Sequence, residues 1–462
     1  MCQKSEQFST LYASSMLLTS ILLLQFLSGF GIISRLPIID KLPQKISLSI
    51  LTGFFASSLT IYFLEIFHLN ISTFSILIAN TLLAAAVNYK PFKLVSDLKS
   101  LVKQFEWSIQ LYEVIFLASI GYLLFFSFWR TYAIPVTPYD SVVGIDLVAR
   151  QAIQEGHIVS SIFFRPDFRP FLSTQPYYAP FTMLMQIIYR AAGLPFGQLW
   201  LGLVTVSFVV FAYSKLCEKA HPIIAGFSVL LLLSAPELYA YTFLLQTDFS
   251  NAVFFSIGLI FTINFFQSDN LQHFTLAAIF MAAACWTRTE TIVFAGAIAL
   301  VMVIKLFPFM RFKAVKLAFI FLSVSAAFTV LWNGIFFTFF FPVVPKVKEQ
   351  IIWAGTYSYE KTSAIFRGMN FFLFSVDYWG YTLYFFLLLW IANFLMRKDK
   401  AWMQLCWPAL FYFCFFIMLH HFSLMNIEYT FRRAVFKFLM IMCLMTSEFP
   451  ILQRHFAAPK QS

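Results

Sequence analysis

Charged residues make up only 11% of the 462 positions, less than half the roughly 25% of an ordinary soluble domain. With 60% hydrophobic residues and a mean hydropathy of +0.78, a water-soluble globule is excluded, because its surface would have to be covered largely by apolar side chains. Cysteine is sparse as well. Cys2, Cys217, Cys285, Cys406, Cys414 and Cys443 lie mostly inside apolar runs, lack the spacing of a metal site or a disulfide framework, and read as packing residues. Carboxylates are outnumbered, 21 Asp and Glu against 32 Lys and Arg, giving a net charge of +11. The basic residues sit in short connections and do not line one folded face, so their excess speaks for membrane topology and against nucleic acid as a partner. No small-residue cleavage site follows the first apolar run, near 11–33, which is too long for a signal core and reads as a first span.

What the chain has in quantity is apolar runs of membrane length. A span needs about 20 apolar residues, since every backbone polar group must be satisfied inside the helix. Counting on that basis predicts an all-α, polytopic membrane protein with roughly 13 transmembrane helices. They are expected near 11–33, 45–67, 70–88, 110–130, 198–216, 222–242, 249–267, 272–288, 289–307, 315–341, 379–396, 402–420 and 434–452. The organisation expected is an N-terminal accessory group of helices over 1–109, a core over 110–342 and a C-terminal outer loop with the last helices over 343–462.

Sidedness follows from the basic connections. Lys41 and Lys45, then Lys90, Lys93, Lys99 and Lys103, then Lys215 and Lys219, Lys305 to Lys316, and Arg397, Lys398 and Lys400 all fall on one side, which is assigned to the cytoplasm. The opposite face receives the long connection 130–197, the segment Pro345 to Asp377 and the turn His420 to Arg433. The absence of long hydrophilic outer domains points to a bacterial inner (cytoplasmic) membrane, with the functional loops facing the periplasm.

The 130–197 connection carries helical pattern of its own. Asp140 or Ser141 is placed to cap a short helix in which Val142, Ile145, Ala149 and Ile153 form an apolar stripe, with Asp146, Arg150 and Gln154 opposite and Gly156 closing it. An i,i+4 pair of Asp146 with Arg150 on a solvated face is the plain structural account of both. The stretch Tyr177–Ala192 holds Gln186 and Arg190 and is short for a span. It reads with the first as a helix lying on the outer membrane surface, Arg190 snorkelling to the interface. Further on, the apolar run His273–Leu306 is too long for one span and must fold back at Thr287-Arg288-Thr289-Glu290, bringing Arg288 and Glu290 to the outer face.

Four segments then resemble the GT-C-type integral-membrane glycosyltransferases, which take sugars from polyprenyl-phosphate donors. The first is Pro138-Tyr139-Asp140-Ser141-Val142 running through Asp146 and Arg150 to Glu155-Gly156, similar to the family's first outer loop. The second is Gln175-Pro176-Tyr177-Tyr178-Ala179-Pro180-Phe181, the third Tyr241 to Asp248, and the fourth Ala284-Cys285-Trp286-Thr287-Arg288-Thr289-Glu290. Where relatives place a second carboxylate directly after the first, Ser141 stands, and Asp146 follows six positions after Asp140. The resemblance implies an inverting transfer of a sugar to a glycan, lipid or protein acceptor, with a divalent metal ion as a possible cofactor and membrane lipids as surroundings.

Such a reaction needs a carboxylate to take the proton of the attacking hydroxyl and preformed cations for the phosphate that leaves. Asp140 is the candidate base. Asp146, Arg150, Asp248, Arg288, Glu290, Arg432 and Arg433 are the candidate substrate ligands, Arg being suited to phosphate by its fork of donors. Against each stands a bland account: a helix cap for Asp140 and Asp248, mutual pairing for Arg288 and Glu290, lipid headgroup contact for Arg432 and Arg433. His420 and His421 are adjacent on a helix, point apart and read poorly as metal ligands. Trp353, Tyr357, Tyr359 and Trp379 are the aromatic residues of the late outer loop that could meet a sugar.

Two rival readings remain from the residues alone. A secondary transporter should show internal repeats and polar groups at the bilayer midplane, for which only Glu65 and Glu113 are candidates. A polymerase or ligase of lipid-linked glycans should concentrate Arg chemistry in a large late loop, whereas Pro345–Asp377 holds only Lys346, Lys348, Lys361 and Arg367.

Overall fold

In the computed structural model the described residues are 2–89, 96, 99, 110–165, 167, 172–341, 358–395, 402–422, 426–449, 452–453 and 456. Lys90, Lys93, Lys103, Lys346, Lys348, Trp353, Tyr357, Arg397, Lys398 and Lys400 lie outside them. The helices are α1 (Cys2–Ile33), α2 (Leu42–Ile66), α3 (Thr73–Val87), α4 (Leu111–Ala133), α5 (Leu147–Glu155), α6 (Phe181–Ala191) and α7 (Leu199–Leu216). There follow α8 (Pro222–Leu233), α9 (Pro236–Tyr241), α10 (Thr247–Ser268), α11 (Leu271–Thr287), α12 (Thr291–Met310) and α13 (Phe312–Thr329). The last are α14 (Phe337–Phe339), α15 (Tyr359–Leu373), α16 (Val376–Trp379), α17 (Thr382–Leu395), α18 (Trp402–His421) and α19 (Arg432–Met445). Three wider π-helical segments, Ser141–Asp146, Val330–Phe336 and Ile427–Phe431, are inserted between them. No β-strand occurs among the described residues, and the chain is all-helical.

Seven helices are long and apolar enough to cross a membrane among the described residues, and α15–α16 with α17 form a further pair bent by 117°. A helix stands in each expected place, but several are shorter than a bilayer: Thr73–Val87, Pro222–Leu233, Leu271–Thr287 and Trp407–His421 each have between 10 and 17 apolar-helix residues. Local chemistry explains where they stop. A Ser72–Ser75 capping box opens α3. Pro236, which cannot continue a preceding ladder, separates α9 from α8. Arg288 leaves the helical region at φ −150° and ends α11 where the sequence required a fold back.

At the centre stands α10, whose membrane-length window is 94% buried, packed between α11 and α19. On the other side α2 packs against α1, α6 and α7, so the N-terminal helices are seated on the body of the bundle. The α1–α2 crossing is made by glycines. A Cβ on Gly53 would lie 2.0 Å from the Gln25 carbonyl oxygen, and one on Gly29 would lie still closer to that of Ser49, so only hydrogen lets the two backbones approach.

The outer connection departs from its expected surface position. Its first helix begins as a π turn, and the extra residue in that turn rotates the following side chains. Val148, Ala149 and Ala152 are fully buried with Ile145, while Val142 and Ile153 are only partly covered. Asp146 is thereby turned inward, 3% exposed, instead of facing solvent. Gly156 closes α5 in the left-handed region at φ +81°, as its position required. The second helix, α6, is enclosed by protein: every residue from Phe181 to Tyr189 is buried, because α2, α7 and α5 pack around it.

Glu65 and Glu113, the two acids inside apolar runs, are both occupied locally. The Glu65 carboxylate accepts the main-chain N–H groups of Ile158 at 2.9 Å and Val159 at 3.1 Å, with His157 Nδ1 at 3.7 Å, and so clamps the outer connection to the end of α2. Glu113 closes a capping box with Gln110 at the start of α4.

The glycine crossing yields a test. Gly53→Ala is expected to push α1 and α2 apart and cost about 1–3 kcal/mol, read as a lower melting temperature of the detergent-solubilised protein. An unchanged melting temperature would rule out so close an approach.

Candidate functional site

Sequence-distant cations and carboxylates meet where α10 begins and where α11 gives way to α12. Asp248 lies in the first turn of α10, where the helix dipole favours a carboxylate. Arg288, at the end of α11, ion-pairs with Asp248 through Nη1 and with Glu290 through Nε at 2.5 Å. It is thus bracketed by two acids from either side of the break. The position of the break is held by Asn251 of α10, whose side-chain amide donates to the Ala284 carbonyl at 2.7 Å and the Thr291 hydroxyl at 3.0 Å.

The start of α19 completes the cluster. Arg433 Nη1 stands 3.6 Å from Asp248 Oδ2, too far for a good hydrogen bond, and Asp248 Oδ2 has no hydrogen-bond partner among the described residues. Arg432 pairs with Glu237 of α9 at 3.1 Å and lies over the Tyr378 ring at 4.7 Å. The Arg433 guanidinium faces the rings of Tyr241 and Tyr429, and that of Arg288 faces Tyr178. One turn below Arg433 on the same helix, Lys437 is 3% exposed. Guanidinium groups over aromatic faces, with an incompletely paired carboxylate between them, make a largely buried cationic cluster suited to an anionic ligand.

Asp140 stands beside this cluster through its neighbour. The Ser141 hydroxyl donates to the Leu245 carbonyl, accepts the Gln246 amide at 3.2 Å and also meets Gln175 Oε1 at 3.2 Å; Gln175 in turn donates to Gln246 at 2.9 Å. The start of the outer loop is therefore bolted to the residues immediately before Asp248. Asp140 itself is exposed, its carbonyl accepting the Ser173 hydroxyl at 2.7 Å, and its carboxylate makes no capping bond to the helix that follows. The four segments singled out in the sequence are thus brought to one end of the bundle.

Asp146 and Arg150 belong to a different assembly. Asp146 is gripped by both arms of Arg190, at 2.9 and 2.7 Å, by the Gln186 amide at 2.7 Å and by Arg150 at 3.3 Å. Arg190 is accordingly no snorkelling residue: its side chain is 15% exposed and committed to a buried acid. With its lone pairs filled from α5 and α6, Asp146 holds the outer connection together. Arg150 keeps 48% of its side chain exposed at the edge of that lock.

Sequence reasoning missed Glu237, Tyr178, Tyr241 and Lys437. Lys437 left a readable signal, a cation one helical turn after Arg433 inside an apolar run. Trp379, expected to offer a ring to substrate, is fully buried and donates to the Phe372 carbonyl at 2.7 Å, whereas Tyr359 is 88% exposed. His420 is buried with Nε2 3.0 Å from the Thr362 hydroxyl. Among the described residues no three His, Cys, Asp or Glu side chains converge as a metal site, and the acids of the cluster face Arg, so no step is assigned to a metal ion.

Compared with known proteins, the chain matches no family model, no curated protein and no solved structure.

The lock at Asp146 predicts a stability effect. Asp146→Ala strands the Arg190 charge in the interior and is expected to cost about 3 kcal/mol, seen as a lower denaturation midpoint. Wild-type stability in that variant would mean the lock carries no weight.

Proposed function

We propose that this chain is a membrane glycosyltransferase of GT-C type that moves a sugar from a polyprenyl-phosphate carrier to a glycan, lipid or protein acceptor. The observation that carries the reading is the convergence of Arg288, Arg432 and Arg433, from the α11–α12 break and the start of α19, around Asp248 and beside the loop that bears Asp140. The carrier phosphate is taken to lie against Arg288 and Arg433. An acceptor hydroxyl then attacks the anomeric carbon from the opposite face, the bond from that carbon to the phosphate oxygen breaks with its electron pair leaving on the carrier, and the hydroxyl proton passes to the Asp140 carboxylate. The sugar's configuration inverts. Cations fixed in a water-poor site stabilise the charge that develops on the leaving phosphate without having to reorganise.

Several features support this reading over a transporter. Glu65 and Glu113, the acids that a proton or ion path would need, are spent on the outer connection and on a capping box. The exposed Asp140 carboxylate is left open to a substrate, and Tyr178 and Tyr429, beside the arginines, keep exposed ring surface of the kind that sugar rings pack against. In the same reading the short helices complete a bundle of about 13 spans by thinning the bilayer around them and by snorkelling of flanking residues. The site then faces the outside of a bacterial cytoplasmic membrane.

Replacing Asp140 by Asn keeps the size of the side chain but removes its basicity. We expect sugar transfer from polyprenyl-phosphate donors in membranes to fall by about 10²–10⁴-fold, with protein level and melting temperature unchanged; full activity would remove Asp140 as the base. Orientation is checked by a membrane-impermeant thiol reagent, which is expected to label a cysteine placed at the exposed Gln154 and to spare one at the exposed Lys99 in intact cells. The reverse pattern would invert the topology.

A further inference from the structure

We infer that Lys437 and Arg433 jointly hold one phosphate group at the inner end of this site, Lys437 being its deepest ligand. The residues stand four apart on α19 and so share a face one turn apart. Lys437 is 3% exposed, and among the described residues it has neither a hydrogen bond nor a carboxylate within ion-pair distance. The ring centres of Phe294 and Phe415 lie 6.0 and 5.9 Å from its ammonium, and the charges of Glu290, Asp248 and Arg288 act on it from beyond ion-pair distance. Ring faces offset part of the charge, but an ammonium enclosed without an acceptor is costly. Arg433 Nε likewise lacks a hydrogen-bond partner among the described residues.

The charge of the cluster gives the same answer. Arg288, Arg432, Arg433 and Lys437 face Asp248, Glu290 and Glu237, four cations against three acids, which leaves one positive charge unmatched. A phosphodiester brings one negative charge and acceptor oxygens for both Lys437 and Arg433. The ligand class rests on the proposed transferase reading; the excess of cation over carboxylate rests on the side chains alone.

The test uses the full chain in detergent, titrated with farnesyl phosphate and, separately, with inorganic phosphate, while thermal unfolding is followed. Farnesyl phosphate is expected to raise the melting temperature of the wild type and of Lys437→Arg. Lys437→Met should bind it at least tenfold more weakly, yet melt no lower than wild type when ligand-free, because an unmatched buried charge has been removed. Equal responses to inorganic and farnesyl phosphate would support the site with free phosphate as its ligand. Undiminished affinity in Lys437→Met, or a ligand-free melting temperature several degrees below wild type, would overturn the inference. Phosphate binding that needs Lys437 in a protein without sugar transfer would remove the transferase reading and keep this one. Transfer with an unchanged donor KM in Lys437→Met would do the opposite.

Discussion

The Arg288 bracket is the interaction on which the end of the bundle depends. A guanidinium withdrawn from water must be matched by acids close at hand, and Arg288 finds one on each side of the break in which it sits, Asp248 and Glu290. To satisfy it, the beginnings of α10 and α12 must lie at the same place. The beginning of α19 joins them through Arg433. The N-termini of α10 and α12 add their dipoles to the arginines, so the local potential favours an anion even before any ligand side chain is considered.

Much of this was legible in the sequence where a physical limit forced it. The run from His273 to Leu306 could not be one span, and the polar tetrad Thr287 to Glu290 was the only place for it to turn. Gly156 marked the end of a helix because a left-handed residue was needed there. Asp248, Arg288, Glu290, Arg432 and Arg433 were expected at one face together with Asp146 and Arg150, and so was the pairing of Arg288 with Glu290; the pairs with Asp248 and Glu237 and the separate lock at Asp146 were not. What escaped was anything dependent on rotation or on partners far along the chain. A periodicity of 3.6 places Asp146 outward; one π turn places it inward, onto Arg190. Arg190 in isolation looks like an interfacial cation, since nothing near it in sequence announces an acid at hydrogen-bonding distance. Span lengths were read too generously for the same reason: proline and polar caps cut several apolar runs into helices shorter than the runs themselves.

Of the three π-helical segments, two adjoin residues of the cluster's end of the bundle. The first begins directly after Asp140, and the third ends directly before Arg432. A π turn trades hydrogen-bond geometry for a wider coil and is retained where a side chain must be aimed. Here one adjoins Asp140 and the other Arg432. The second, Val330–Phe336, instead carries Trp332 against Tyr62 and Trp286, with the Tyr62 hydroxyl donating to the Leu331 carbonyl at 2.7 Å.

The Glu65 clamp joins the outer connection to α2, and glycines join α2 to α1 backbone against backbone. Loop and helical hairpin consequently share one vertical coordinate. In a thicker or thinner lipid sheet, any tilt that the hairpin adopts is carried through the Glu65 clamp to the connection that bears Asp140, so the two respond to lipid thickness as one piece.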